Sequence, residues 1–305
     1  MSSTVHIIGA GISGLSAGVR LAAAGRTVCV HEATQQVGGR CRTYYDGATD
    51  LMIDNGNHLL LSGNHHALAY ARQIGNLEGL KGPDEARFDF VDFGTSERWV
   101  LRMNDGRVPF WVFDAKRRVP GTSAADYFGL APLVWSGTDK RIGDTIKCDG
   151  ALYWRLVQPL LLAALNIDPP NGSAGLAGAI IRETLLVGGQ ACRPLIASEG
   201  LSSVLIDPAI RFIRERGGSV DIGHEARSFT FDGDRVSALS LGDQTIDLGP
   251  QDAVVMAVPP RPAVALLPGL TAPNKFCAIV NAHFRFAPPP GTPPIMGVVN
   301  GLIDW

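Results

Sequence analysis

Three groups of residues near the N-terminus have the types and spacing to do chemistry. The first is the turn Gly9-Ala10-Gly11-Ile12-Ser13-Gly14, a GxGxxG pattern. In such a turn the first glycine permits a tight reversal, the second lets the backbone approach a pyrophosphate, and the third lets a helix pack on a strand. Glu32 stands where a carboxylate accepts the hydroxyls of an adenosine ribose and repels a 2′-phosphate. The second group is Gly38-Gly39-Arg40, two glycines that allow close backbone approach and a cation that pairs with phosphate. By itself that triplet also reads as a turn with a surface arginine, but so soon after Glu32 it completes the same site. The third group is Asp54, Gly56, Asn57 and His58, in the segment DNGNHLLLSGN. A carboxylate, an amide and an imidazole there can serve as hydrogen-bond partners or proton donors. Asp54 and His58 are equally suited to tying down their own loop.

The elements that must hold these residues follow from hydrophobic periodicity. Val5, Ile7 and Ile8 form a short strand that enters the glycine turn; Leu15, Val19 and Leu21 line one side of a helix; Thr27 to His31 is a second strand ending on Glu32. A lone GxGxxG occurs in many α/β proteins. Here the order strand, turn, helix, strand and acidic residue defines a dinucleotide-binding corner.

Similar character returns after Gly200. Asp207-Pro208 is an N-cap and first-turn pair that predicts a helix over Pro208 to Arg216, stopped by Gly217-Gly218. Strands are predicted at Ser219–Ile222, Ala226–Phe231, Val236–Leu241 and Gln244–Leu248, and a buried strand from Asp252 to Pro260.

Between these regions the pattern changes. Helices are predicted at His66–Ile74, Ala125–Leu130, Ala151–Ala164 and Leu176–Leu186, with strand-like pieces at Glu97–Leu101 and Val108–Val112. The apolar density is that of a second core, and also what a pocket for a long hydrocarbon requires. Phe276 to Arg285 alternates as a strand, followed by a proline-rich loop from Ala287 to Pro294.

Composition narrows the function classes. With 305 residues, 46% of them hydrophobic, and a net charge of −2, the chain suits a loop-rich α/β protein and gives no reason to expect nucleic acid. The longest apolar run, Leu156 to Leu165, is broken by Gln158 and Pro159 and is far short of the ~20 residues that span a bilayer. The expected location is cytoplasmic, with peripheral contact at the inner membrane surface compatible with the sequence. Five scattered cysteines without a CxxC pair read as reduced thiols. His58, His65 and His66 lack companions at metal-ligand spacing, so no metal is expected.

The succession of GxGxxG, Glu32 and Gly38-Gly39-Arg40-Cys41-Arg42-Thr43 resembles the signature of the FAD enzymes of the amine oxidase, phytoene desaturase and protoporphyrinogen oxidase superfamily. The wording DNGNHLLLSGN, with Arg118 to Thr122, Pro159 to Asn166, Ala191 to Leu195 and Ile279 to Arg285, is similar more narrowly to the hydroxysqualene dehydroxylases of bacterial hopanoid pathways. The likeness runs the length of the chain. It implies a Rossmann-like FAD-binding domain, a parallel sheet with an inserted β-meander, plus an interleaved α+β substrate domain. The expected boundaries are 1–64 and 191–262 for the FAD-binding domain, 65–190 for the substrate domain, and 263–305 as a return to it. The resemblance further implies FAD as cofactor, with Gly38, Gly39 and Arg40 against its pyrophosphate, Gly56 and Asn57 beside the flavin ring, and Ala226 meeting the adenine end through its backbone. The implied substrate is a long apolar isoprenoid, hydroxysqualene, reduced to squalene with loss of water by a flavin recharged from an external electron donor. His58 and Asp54 are then the proton-donor candidates. Members of the family continue to a glycine and aspartate motif beyond the point where Trp305 ends this sequence, so a C-terminally truncated copy is expected. A carotenoid-type desaturase, an amine oxidase, a non-catalytic remnant and a plain NAD-binding module are the rival readings.

Overall fold

The computed structural model describes residues 3–56 and 58–303. The chain folds as two units, one made of Met1–His58, His66–Lys81 and Ala197–Phe276, the other of Leu59–His65, Gly82–Ile196 and Cys277–Trp305. The stretch 66–81 thus belongs to the first unit, whereas the sequence predicts it with 65–190. Tyr70, buried on the helix His65–Gln73, donates its hydroxyl to the Leu205 carbonyl at 2.8 Å, and Asn76 bonds the carbonyls of Ser203 and Val204. Residues 263–276 likewise fall in the first unit.

The first unit is built on a parallel sheet in which the strands Ser219–Ile222, Thr27–Glu32, Thr4–Ile8 and Ala253–Met256 lie in that order. Val5, Ile7, Val28 and Val30 are buried, and the helix Ile12–Ala23 covers them with Leu15, Gly18, Val19 and Ala22. A Cβ at Gly18 would come within 2.9 Å of Ile213, so this helix and Asp207–Arg214 close on each other through that glycine. An antiparallel meander of Ala226–Asp232, Arg235–Leu241 and Gln244–Asp247 forms a second sheet. Its Leu239 and Leu241 form a core cluster with Ile8 and Leu266.

Two expectations for this unit are corrected. Asp207-Pro208 does not start a helix, because the chain is already helical from Leu201. A wide turn over Ser202–Ile206, in which the Asp207 N–H reaches the Ser202 carbonyl, precedes the proline. Proline has no N–H to give the usual bond and its ring crowds the preceding turn, and the wider turn removes both conflicts. The same device recurs at Tyr153–Val157 before Pro159, inside the helix predicted over Ala151–Ala164. Secondly, Ala253–Met256 is half-buried rather than buried, since it stands at the edge of the described sheet with one neighbour, Thr4–Ile8.

In the second unit Met296–Val299 runs parallel to Arg87–Asp92, which pairs antiparallel with Arg98–Arg102. The core beside this sheet is formed by Trp111, Leu133, Ile142, Leu156, Leu161 and Ile181. Asp92 is 3% exposed, and its carboxylate accepts from the Gly94 and Thr95 N–H groups and the Asn300 amide. Asn300 foremost, then those N–H groups and Arg155 at 3.4 Å, hold it down to about 2 against the opposing effect of burial.

Val108–Val112, predicted as strand-like, is instead a loop leading into a short 3₁₀ turn, Phe110–Phe113. Pro109 has no N–H for a ladder, and the Asn104 side chain bonds the Gly106 and Val108 carbonyls and the Trp111 N–H. Phe276 to Arg285, predicted as a strand, has no regular structure and is exposed throughout. Alternation alone makes no strand where no neighbouring edge takes up the backbone bonds.

One polar pair lies inside the nucleotide unit. His6 and His31 stand opposite each other's strands, with His6 Nδ1 3.0 Å from His31 Nε2 and the rings nearly parallel. Burial first, then His6, with a smaller contribution from His224 and Asp221 opposing, pushes the His31 imidazole down to about 4. The unfolded chain therefore takes up a proton near 6.5 that the folded chain refuses until about 4. The stability this pair contributes is complete above 6.5 and is lost as pH falls through that window. Thermal unfolding followed from pH 7 to pH 4.5 should show a destabilisation on the order of 2 kcal/mol from this source. The slope should be smaller in His31→Gln, measured by circular dichroism over the same range.

Candidate functional site

The site is assembled at the carboxyl ends of the parallel strands. Gly9 adopts φ +103°, and a Cβ there would strike the Ala257 carbonyl oxygen at 2.6 Å. Its N–H donates to the His31 carbonyl at 2.8 Å, which joins the turn to the end of the second strand. A Cβ at Gly14 would lie 1.9 Å from the Gly9 carbonyl oxygen, so the helix start sits directly on the turn. Gly11, at the helix N-cap, has no atom within 4 Å of where its Cβ would be. That opening, beside a helix start with no side-chain cap, is the cradle a pyrophosphate needs.

Glu32 closes the other side. Its Oε2 accepts the Ala10 N–H at 2.9 Å, and its Oε1 accepts the Thr34 N–H at 2.9 Å and the Thr34 hydroxyl at 2.8 Å. Three donors hold the carboxylate in one orientation, and Oε2 keeps a lone pair for a further donor such as a ribose hydroxyl. Thr34 is a positioning residue not anticipated from the sequence, although a threonine two residues beyond an acid is a recognisable turn signal.

Gly38 and Gly39 lie against the same corner. The Gly38 N–H donates to the Ala10 carbonyl at 2.8 Å, Gly11 and Gly38 form a parallel bridge, and a Cβ at Gly39 would come 3.3 Å from the Gly11 Cα. Arg40 is exposed on the turn Gly39–Cys41. Arg42, also unanticipated, has a buried Nε without a hydrogen-bond partner. The His224 N–H donates to the Glu32 carbonyl at 2.8 Å and the Gly223 N–H to the Thr34 carbonyl at 3.1 Å. The strand beginning at Ala226 therefore starts beside Glu32, with Ala226 packed against the meander core.

Asp54 has a different place from the one expected of a proton donor. Its Oδ1 accepts the Thr43 hydroxyl at 2.6 Å and the Leu201 N–H at 2.9 Å. The Thr43 hydroxyl in turn accepts the Ser202 N–H at 2.9 Å, and the Thr43 N–H donates to Ser202 Oγ at 2.8 Å. Asp54 thus caps the helix that starts at Leu201 and fixes the hairpin of Thr43–Asp46 and Leu51–Asp54 to it. His58 is exposed, and its Nδ1 donates to the Gly56 carbonyl at 2.8 Å. Gly56 is buried, and Asn57 lies outside the described residues.

The second unit has a concavity of about 650 Å³ lined by Asp92, Thr95, Pro120, Gly121, Ala151, Trp154, Arg155 and Asn300. Its wall sets the Asp92–Arg155 pair and the Asn300 amide beside the apolar surfaces of Pro120, Ala151 and Trp154.

Comparison with known proteins agrees with the corner just described. The sequence profile of the flavin containing amine oxidoreductases matches residues 12–287. The chain belongs to that family. Members named hydroxysqualene dehydroxylase from Rhodopseudomonas palustris and Sinorhizobium fredii are similar to it at 62% and 58% identity over 100% of the chain and 73% of their own length. An oxidoreductase structure from Methanosarcina mazei is similar in fold, with a TM-score of 0.61 at 19% identity over 88% of this chain. The chain spans about three fifths, 62%, of that structure's length.

The cofactor of this flavin family is FAD, and the open Gly11 cradle and the oriented Glu32 carboxylate fit its ADP half. Replacing Glu32 removes a charged acceptor and leaves the Ala10 and Thr34 donors unpaired. Glu32→Ala should weaken FAD binding about tenfold or more, read by flavin fluorescence titration of the apoprotein.

Proposed function

We propose that this chain carries the FAD-dependent reduction of hydroxysqualene to squalene, with loss of water, in squalene and hopanoid synthesis. The observation that carries this reading is the identity of 62% and 58%, along the whole chain, to proteins named hydroxysqualene dehydroxylase. When bound and reduced, FAD supplies a hydride. The balance is then complete: the allylic C–O bond breaks, a C–H bond forms at the same carbon, and the oxygen leaves as water after taking a proton. Two electrons are consumed, so an external donor must replace them.

The work of the protein's own residues is to bind, orient and protonate. The glycine corner and Glu32 hold the ADP half by backbone donors and one carboxylate. Gly38, Gly39 and Arg40 bring two close backbone segments and a cation to the pyrophosphate. Gly56 and Asn57, with Ala226, complete the cofactor contacts in this reading. His58 is the proton donor to the departing hydroxyl in this reading: its Nδ1–H is committed to the Gly56 carbonyl, which leaves Nε2 for the substrate. Asp54 acts at one remove, through the hairpin that leads to His58. In this reading the unit of 1–58, 66–81 and 197–276 serves as the FAD-binding domain and the unit of 59–65, 82–196 and 277–305 as the substrate domain. Peripheral contact with the inner membrane surface belongs to the same reading, because the substrate dissolves in lipid.

The test is a visible spectrum of the purified chain, with FAD supplied, followed by anaerobic reduction and addition of hydroxysqualene. Reoxidation of the flavin with squalene as product is expected; a reduced flavin that is unaffected by hydroxysqualene but reoxidised on adding an imine would sink the reading. His58→Ala should lower kcat about 100-fold or more at unchanged flavin content. Asp54→Asn should mainly lower Tm, by several degrees on the order expected for a lost helix cap, measured by calorimetry.

A further inference from the structure

The turn Phe110–Phe113 divides its four residues in an unusual way. Trp111 and Val112 are 4% and 2% exposed, locked in the core of the second unit. Phe110 and Phe113, on either side, are 66% and 60% exposed, and Val108 just before them is 56% exposed. These apolar side chains are not the ends of a loose loop. Asn104 accepts the Trp111 N–H and donates to the Gly106 and Val108 carbonyls, and Trp111 meets the Tyr127 ring edge-on at 5.1 Å. The tip is thus braced from beneath, and the two phenyl rings are held outward. Keeping such rings in water is unfavourable, so a rigid pair of them marks a surface that meets something apolar.

Charge indicates what that is. The segment from Arg102 to Arg118 has Arg102, Arg107, Lys116, Arg117 and Arg118 against Asp105 and Asp114, in a chain whose net charge is −2. Arg107 and Lys116, before and after the rings in sequence, are exposed, and Asp105 lies near Arg193 at 3.4 Å. Aromatic rings flanked by exposed cations match the boundary between acyl chains and anionic headgroups. No helix among the described residues is long and apolar enough to cross a membrane, so contact of this kind would be made by a surface element.

We infer that the turn Phe110–Phe113 is a bilayer-docking tip: Val108, Phe110 and Phe113 insert at the interface of an anionic membrane while Arg107 and Lys116 pair with lipid phosphates. This deepens the reading of a lipid-dissolved substrate by naming the element that reaches the lipid. Vesicle binding requires no flavin and no turnover, so it succeeds or fails separately from the hydroxysqualene chemistry.

The experiment is flotation of the purified chain with vesicles of phosphatidylcholine alone and of phosphatidylcholine with phosphatidylglycerol. The chain is expected to float with the phosphatidylglycerol vesicles, less so at high salt. The F110S/F113S double variant should bind about tenfold more weakly or worse, and R107E/K116E should lose the preference for the anionic lipid. Both pairs are exposed, and circular dichroism and Tm should match the parent chain. Equal binding by parent and F110S/F113S would overturn the inference. So would failure of the parent chain to bind either vesicle, including the case in which it self-associates and F110S/F113S dissociates it.

Discussion

The nucleotide unit depends on the contact between Gly14 and Gly9. With 1.9 Å between a hypothetical Gly14 Cβ and the Gly9 carbonyl oxygen, any side chain there would push the helix off the strand end. Because the helix start is pressed so close, Ala10 can donate to Glu32 and Gly38 to Ala10, and the two glycine motifs meet. Backbone groups, not side chains, make most of this site. In the proposed reading a doubly charged pyrophosphate would be met chiefly by those backbone groups, with Arg40 exposed on the turn beside them.

The parts legible in the sequence were those governed by local geometry. Turn glycines, the helix behind them and the acidic residue at the second strand follow from short-range rules, and the strands from Ser219 to Asp247 follow from alternation between turns. The parts that were not legible depended on partners far along the chain. Val108–Val112 alternates like a strand, but Pro109 and the Asn104 side chain turn it into a 3₁₀ tip. Phe276 to Arg285 has strand composition but pairs with no strand among the described residues. Asp207-Pro208 has the residues of a helix start, yet the helix comes through from Leu201 and widens to admit the proline.

At the candidate site the division is similar. Gly9, Gly11, Gly14, Glu32, Gly38 and Gly39 are brought together, as their spacing implies. Thr34 was missed because its role comes from a hydrogen-bonded turn with Glu32. The Asp54 carboxylate could have been either a proton donor or a loop anchor by residue type. Its partners Thr43 and Leu201, the latter far along the chain, make it a helix cap. His58 gains from that arrangement, since the hairpin preceding it is pinned at both ends.

The central claim is that this corner recognises the ADP half of FAD through backbone donors and Glu32. Isothermal titration of the apoprotein with FAD, ADP and FMN tests it most directly. Binding of FAD and ADP, with FMN far weaker than FAD, is the predicted result. FMN binding as tightly as FAD, with no heat from ADP, would contradict it.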